Sequence, residues 1–134
     1  MAVGFTESAA SSILASKIKA TTYVALSTTE PTKTGSNFTE PPASAGYARA
    51  KFGEVNTSIS AQVTNNEYIF MFEALASCGT ITHVGLSENG SRGGAVFLMG
   101  ELTTPITVGV GYVPLIRPKK FIVGLDKEAL ESYV

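Results

Sequence analysis

The sequence contains no tryptophan, and among its 134 residues there is one cysteine, one histidine and one aspartate. Each scarcity closes off a class of chemistry. With Cys78 alone no intramolecular disulfide can form, so stability has to come from a packed core. A dedicated zinc or iron cage gathers several His, Cys or carboxylate ligands, and this chain is poorly supplied with them. No metal and no cofactor is therefore expected, with weak calcium binding by surface glutamates the one opening. Charge is scarce too, at 16% of residues, and the ten Lys and Arg are scattered around a net charge of -1. Lys119-Lys120 is the only adjacent basic pair. No electrostatic footprint for nucleic acid results. No stretch approaches the roughly 20 apolar residues that cross a bilayer, so no membrane partner is expected. The N-terminus also lacks the cationic and apolar regions of a secretory signal, which implies synthesis in a cytoplasm. In that setting the acceptor-like tripeptides at Asn37, Asn56 and Asn89 read as chance matches in a Ser/Thr-rich chain.

What is present is enough for a core. Hydrophobic residues make up 44% of the chain and mean hydropathy is +0.19, values of a folded chain and not a disordered one. The length suits one β-domain over residues 1–134, with 1–20 as an N-terminal helical segment and 127–134 as a C-terminal tail. Charge depletion with abundant Ser and Thr fits two readings equally. Strands favour Thr, and interface cores are poor in charge.

Ala10, Ile13, Leu14 and Ile18 recur at helical spacing, with Thr6 as cap, Glu7 in the first turn and Lys17 and Lys19 in the last. This predicts a short amphipathic helix that must pack on its own sheet or on a neighbouring subunit. The period then changes to two. Strands are predicted over 22–28, 47–55, 58–63, 67–72, 80–86, 95–102, 106–110, 113–116 and 119–125, with Gly and Pro between them. Asn65-Asn66 reads as a tight hairpin turn, and the alternation of Tyr68, Phe70 and Phe72 with Ile69 and Met71 as a strand buried on both faces. Residues 29–46 form a long loop with Pro31, Pro41 and Pro42, of a length that is often functional. Short strands at regular spacing predict a mainly β fold, an antiparallel β-sandwich or small jelly roll with a short N-terminal helix.

No catalytic residue emerges. His83 lies in a strand pattern, and a general base there needs an orienting acid and a nucleophile. Glu88 and Glu101 could approach it, but a partly buried structural histidine is the simpler reading. Cys78 stands five residues before His83, and an odd offset on a strand puts the two side chains on opposite faces. It reads as a small buried thiol. Asp126 reads as a helix cap for the tail. The glycines lack the strand-loop-helix context and the Lys of a phosphate loop, and Tyr68, Phe70 and Phe72 lack the interleaved basic residues of a base-stacking platform.

The order of a short helix, Thr22-Tyr23-Val24-Ala25-Leu26-Ser27, a Thr/Pro loop, Gly46-Tyr47-Ala48-Arg49, Ile81-Thr82-His83-Val84-Gly85-Leu86 and Gly100-Glu101-Leu102-Thr103-Thr104-Pro105 is similar to a family of small bacteriophage virion proteins usually labelled tail fibre proteins. The resemblance covers roughly residues 20–126 and rests on strand and turn residues. It implies a virion protein made in the bacterial host cytoplasm, without enzymatic activity. A fibre shaft needs repeats, heptads or long interlocked β-structure, and none is in the sequence. The expectation is therefore a capsid decoration (head auxiliary) subunit, a homo-oligomer with a trimer favoured, bound to other virion proteins (major capsid or tail proteins). The alternatives are a tail- or fibre-associated subunit and, ranked lower because Trp is absent, a glycan-binding host-attachment module. The residues expected at assembly contacts are Ile13 and Ile18 on the helix, Phe38 and Pro41 in the long loop, and Leu130, Tyr133 and Val134 in the apolar tail.

Overall fold

Thr6 holds extended backbone, and its hydroxyl accepts the Ala9 N–H at 3.1 Å. From that cap the helix α1 runs Glu7–Lys17. In the computed structural model, which describes residues 5–59 and 61–124, nine strands follow: β1 (Tyr23–Ser27), β2 (Ala50–Lys51), β3 (Val55–Asn56), β4 (Gln62–Asn65), β5 (Ile69–Phe70), β6 (Gly79–Ser87), β7 (Leu98–Val108), β8 (Leu115–Ile116) and β9 (Ile122–Gly124). A single 3₁₀ turn, Ala43–Ala45, interrupts the long loop. Every strand pair whose register is defined is antiparallel. The protein is thus mainly β with one N-terminal helix, as the strand spacing predicts.

The chain forms two compact units. The first comprises the described parts of Met1–Ala20, Gly53–Tyr68 and Ile116–Val134; the second comprises Thr21–Phe52 and Ile69–Leu115. In the first, β3, β4 and β9 make a three-stranded sheet with β4 central, and α1 packs on β4 and β9. Ala10, Leu14 and Ile18 are buried, as are Val63, Phe121 and Val123. The predicted stripe narrows to the i, i+4, i+8 line, because Ile13 is 39% exposed. α1 ends at Ile18, whose backbone is extended and whose N–H bonds the Leu14 carbonyl at 2.9 Å.

The second unit holds a four-stranded sheet in the order β2-β1-β6-β7, together with β5 and Leu115 of β8. β1 is central, so Val24, Ala25 and Leu26 are buried on both faces. The register from Tyr23↔Ser87 to Ser27↔His83 is unbroken. β7 joins into one strand two segments that the sequence reads as separate. It follows β6 from Leu86↔Leu98 to His83↔Glu101, breaks register, and resumes from Ile81↔Ile106 to Gly79↔Val108. Pro105 falls in that irregularity on an edge strand, where its missing N–H breaks no ladder bond.

Three further expectations are corrected. The segment 47–55 makes two short strands, separated where Gly53 takes φ +78°. Asn65-Asn66 is not the turn of a β4–β5 hairpin: β4 pairs with β3 and β9, and β5 with β8. Tyr68 and Phe70 are 52% and 62% exposed, although Ile69, Met71 and Phe72 are buried. Simple alternation fails here because β5 is only two residues long and the chain beyond it is irregular.

Candidate functional site

The long loop is organised by a buried ion pair that the sequence reading misses. Glu40, at the end of the loop's polar stretch, meets Arg49 just before β2. Arg49 Nη2 lies 2.7 Å from Glu40 Oε1 and Nε lies 3.0 Å from Oε2, a bidentate geometry, with both side chains almost wholly buried. The Tyr47 hydroxyl donates to Glu40 Oε2 and accepts the Leu26 N–H of β1 at 3.1 Å. The Gly93 N–H donates to Glu40 Oε1 at 2.8 Å. Arg49 also donates to the carbonyls of Asn89 and Gly94, at 2.8 and 2.7 Å. Arg92 completes the cluster, donating to the carbonyls of Pro41 and Glu40 at 2.6 and 2.8 Å. Burial alone pushes the Glu40 carboxyl up, but Arg49, Tyr47 and Gly93 together outweigh it and hold the group below the usual carboxylate range. Burial, and then the carboxylate beside it, push the Tyr47 phenol well above its ordinary value. A carboxylate so fully ligated is poised to stay ionised, not to exchange protons. The cluster ties the loop to the 89–94 turn and to β1.

Other bonds carry the same message. The Thr28 N–H reaches the Thr39 carbonyl at 2.9 Å, and the Thr39 N–H reaches Ser27 Oγ at 3.0 Å. The Phe38 ring lies over Gly85 of β6, so close that a Cβ there would come within 3.1 Å of it. The loop's anchoring groups are thus taken up by its own chain. Of the residues expected at assembly contacts, Pro41 is buried with its carbonyl bonded to Arg92, and Phe38 is half-buried on its own sheet. Ile18 is likewise buried, because it closes the core line of α1. Ile13 remains partly open to solvent. Leu130, Tyr133 and Val134, and Asp126 with the tail, lie outside the described residues.

Among the groups with reactive chemistry, Cys78 is buried, its thiol facing the Ala76 carbonyl at 3.5 Å and pushed up by burial. His83 is half-buried, with Nδ1 2.8 Å from Thr82 Oγ1, and pairs across the ladder with Glu101. Among the described residues no group of three or more His, Cys, Asp or Glu is placed to hold a metal ion, and no helix is long and apolar enough to cross a membrane.

Several large apolar side chains of the described residues are exposed. Besides Tyr68 and Phe70, the large side chains of Leu75, Val110 and Tyr112 are at least 60% exposed. The sequence carries a signal for this only in retrospect. Gly109, Gly111 and Pro114 break strand periodicity, so Val110, Tyr112 and Val113 cannot all be placed on one inner face.

A family described as Podophage GP4 fiber I protein gp80 matches residues 12–123, and the chain belongs to that family. The match spans both compact units and every described strand except the end of β9. No curated protein matches the chain.

Proposed function

We propose that this member of the podophage fiber I family is a non-enzymatic structural subunit of the phage virion, associated with the tail fibre and acting by assembly. The observation that carries the reading is the family match over residues 12–123. The fibre wording of that family moves the preference from capsid decoration to the fibre. The sequence carries no heptad or repeat, which supports a tip or adaptor beside the fibre over a shaft. Assembly as a homo-oligomer, with a trimer favoured, and binding to other tail proteins complete the proposal. Charge depletion and exposed aromatic side chains support it, because these are the features of interface cores.

Separating purified particles into heads and tails, and locating the chain by mass spectrometry and immunogold labelling, tests the assignment. The chain is expected in the tail fraction, with label at the fibres. Recovery in heads at a stoichiometry matching capsid symmetry would establish decoration instead, and absence from particles would remove the structural role altogether. Substituting His83→Ala or Cys78→Ala should change stability or nothing. A hydrolytic activity that vanishes with His83→Ala in a folded protein would contradict the non-enzymatic part.

A further inference from the structure

The turn that receives the buried Arg49 contains the pair Asn89-Gly90, and no other asparagine of the chain precedes a glycine. An asparagine in that setting can react with its own backbone. The nitrogen of the next residue attacks the side-chain Cγ and closes a five-membered ring, and glycine is the residue that leaves this nitrogen unshielded by a side chain. Asn89 and Gly90 are both exposed. Among the described residues the Gly90 N–H makes no hydrogen bond, and Asn89 Nδ2, the group that would leave, donates none. The side-chain nitrogens of Asn37, Asn56 and Asn65, by contrast, are held by the Glu30 carbonyl, by Asn66 Oδ1 and by the Glu67 and Arg117 carbonyls. Packing requires the glycine at position 90, where a Cβ would lie 2.7 Å from the Tyr23 ring.

Two donors stand where charge develops in this reaction. Loss of the Gly90 amide proton spreads negative charge onto the Asn89 carbonyl oxygen, which accepts a hydrogen bond from Arg49 Nη1 at 2.8 Å. Attack on Cγ moves negative charge onto Asn89 Oδ1, which accepts the Ser91 N–H at 2.8 Å. Donors already in place at a developing oxyanion lower the barrier to acyl transfer. In the first step the Gly90 N–Cγ bond forms and the Cγ–Nδ2 bond breaks. The Gly90 proton passes to solvent, and the departing nitrogen takes one from solvent and leaves as ammonia. Water then opens the resulting succinimide at one of its two carbonyls. Attack at Cγ gives aspartate. Attack at the main-chain carbonyl gives isoaspartate, in which the chain runs through Cβ and Cγ and the former main-chain carbonyl becomes a free carboxylate. The second carbonyl is the one that Arg49 polarises, and the carboxylate formed there keeps the oxygen that Arg49 bonds, now as a charge-assisted partner.

We propose that Asn89-Gly90 is a self-modification site at which the folded protein deamidates, with Arg49 directing the product to isoaspartate. The reaction takes in water, releases ammonia and needs no other reactant, and it is independent of the proposed assembly role. Its consequence falls on the ion-pair cluster. One negative charge is added beside Glu40 and Arg49, and isoaspartate adds one methylene to the main chain of the turn whose Gly93 N–H and Gly94 carbonyl bond those two side chains.

The full chain, aged in mildly alkaline buffer and in parallel in the same buffer with enough urea to unfold it, tests the proposal. Peptide mapping over time, with electron-transfer fragmentation to separate isoaspartate from aspartate, reads each asparagine. Asn89 should convert in the folded chain at least as fast as in the unfolded one, while the other asparagines of the folded chain stay intact. The ratio of isoaspartate to aspartate should be higher in the folded chain by roughly twofold or more, because only there does Arg49 polarise the main-chain carbonyl. Asn89→Gln, whose cyclisation would need a six-membered ring, should remove the more acidic species that ion exchange resolves from aged wild type. Slower conversion of Asn89 in the folded chain overturns the site, because the fold then protects it. A product ratio equal in the two states overturns the role of Arg49, and an acidic species that persists in the glutamine variant overturns the assignment to position 89. The first two readings come from wild type alone, so they decide the matter even where the variant fails to fold.

Discussion

Glu40 shows how one residue can decide the shape of a loop. Removing its charge strands Arg49 in the interior without a counter-ion, and breaking one side of a buried pair costs about 3–5 kcal/mol. Glu40→Gln should therefore lower stability at neutral pH by about that amount, read from urea unfolding. The pH dependence follows from the directions of the shifts. The folded carboxyl is held below its ordinary 4.5, so its contribution is complete above that value and is lost as pH falls through the folded one. Tyr47 is raised above its ordinary 10.0, so its contribution is complete below pH 10 and is lost as pH rises through the folded value. Unfolding free energy should fall on both sides of that window, and Glu40→Gln should blunt the acid side. An acid limb equally steep in the variant would place the acid sensitivity elsewhere.

Asn65 is the second residue whose role inverts its sequence reading. Asn favours turns, which is why the pair with Asn66 looks like a hairpin. In the fold Asn65 is fully buried at the end of β4. Its side-chain amide donates to the carbonyls of Glu67 and Arg117, at 2.9 and 2.8 Å, and its Oδ1 accepts the Phe121 N–H at 2.9 Å. The amide thus replaces backbone pairing where the chain enters β9. Asn65→Ala leaves those three groups without it, and a loss of about 3 kcal/mol is expected from thermal or urea unfolding. A change below about 1 kcal/mol would mean that water satisfies them as well.

At the scale of elements, legibility tracks how local the cause is. α1 was readable because cap, first-turn acid and apolar spacing all lie within a dozen residues. The existence of β1, β6 and β9 was readable from period-two runs. What failed was partner choice, since β4 and β5 look like a hairpin in sequence, yet β4 lies between β3 and the distant β9, and β5 pairs with the distant β8. The ion pair failed for the same reason: Glu40 and Arg49 meet across the 3₁₀ turn, and nothing in either neighbourhood announces it. Gly46 hints at it, because its φ of +87° turns the chain there and a Cβ would collide with the Glu73 carbonyl. The loop itself divides into an anchored end and an outer tip. In the tip Thr32 closes on Ser36 through its N–H at 2.8 Å, and none of residues 32–34 is buried. Replacing 32–36 by a two-residue turn should change stability by less than about 1 kcal/mol, because closure entropy varies slowly with length. Self-association measured by sedimentation should be unaltered. A weaker association would return the loop to the interface.

At the scale of the whole molecule, the chain passes between its two compact units at 20/21, 52/53, 68/69 and 115/116. Neither unit is a contiguous stretch, so no linker composition could mark the division in the sequence. Both the charge balance and the surface bear on how such a molecule would assemble. Ten basic residues face eleven acidic ones, and only 16% of residues are charged. Coulombic steering between copies is then weak, and what salt can screen is small, since exposed charges interact over only about 10 Å at 0.1 M ionic strength. Burial of apolar groups responds differently. It is nearly indifferent to sodium chloride at moderate strength and is strengthened by sulfate, which is excluded from protein surface. The dissociation constant of the self-associated protein should therefore shift by less than about threefold between ~0.05 and ~0.5 M sodium chloride. It should tighten in ammonium sulfate at equal ionic strength. A tenfold or greater weakening in sodium chloride would assign the contact to paired charges instead of buried apolar groups.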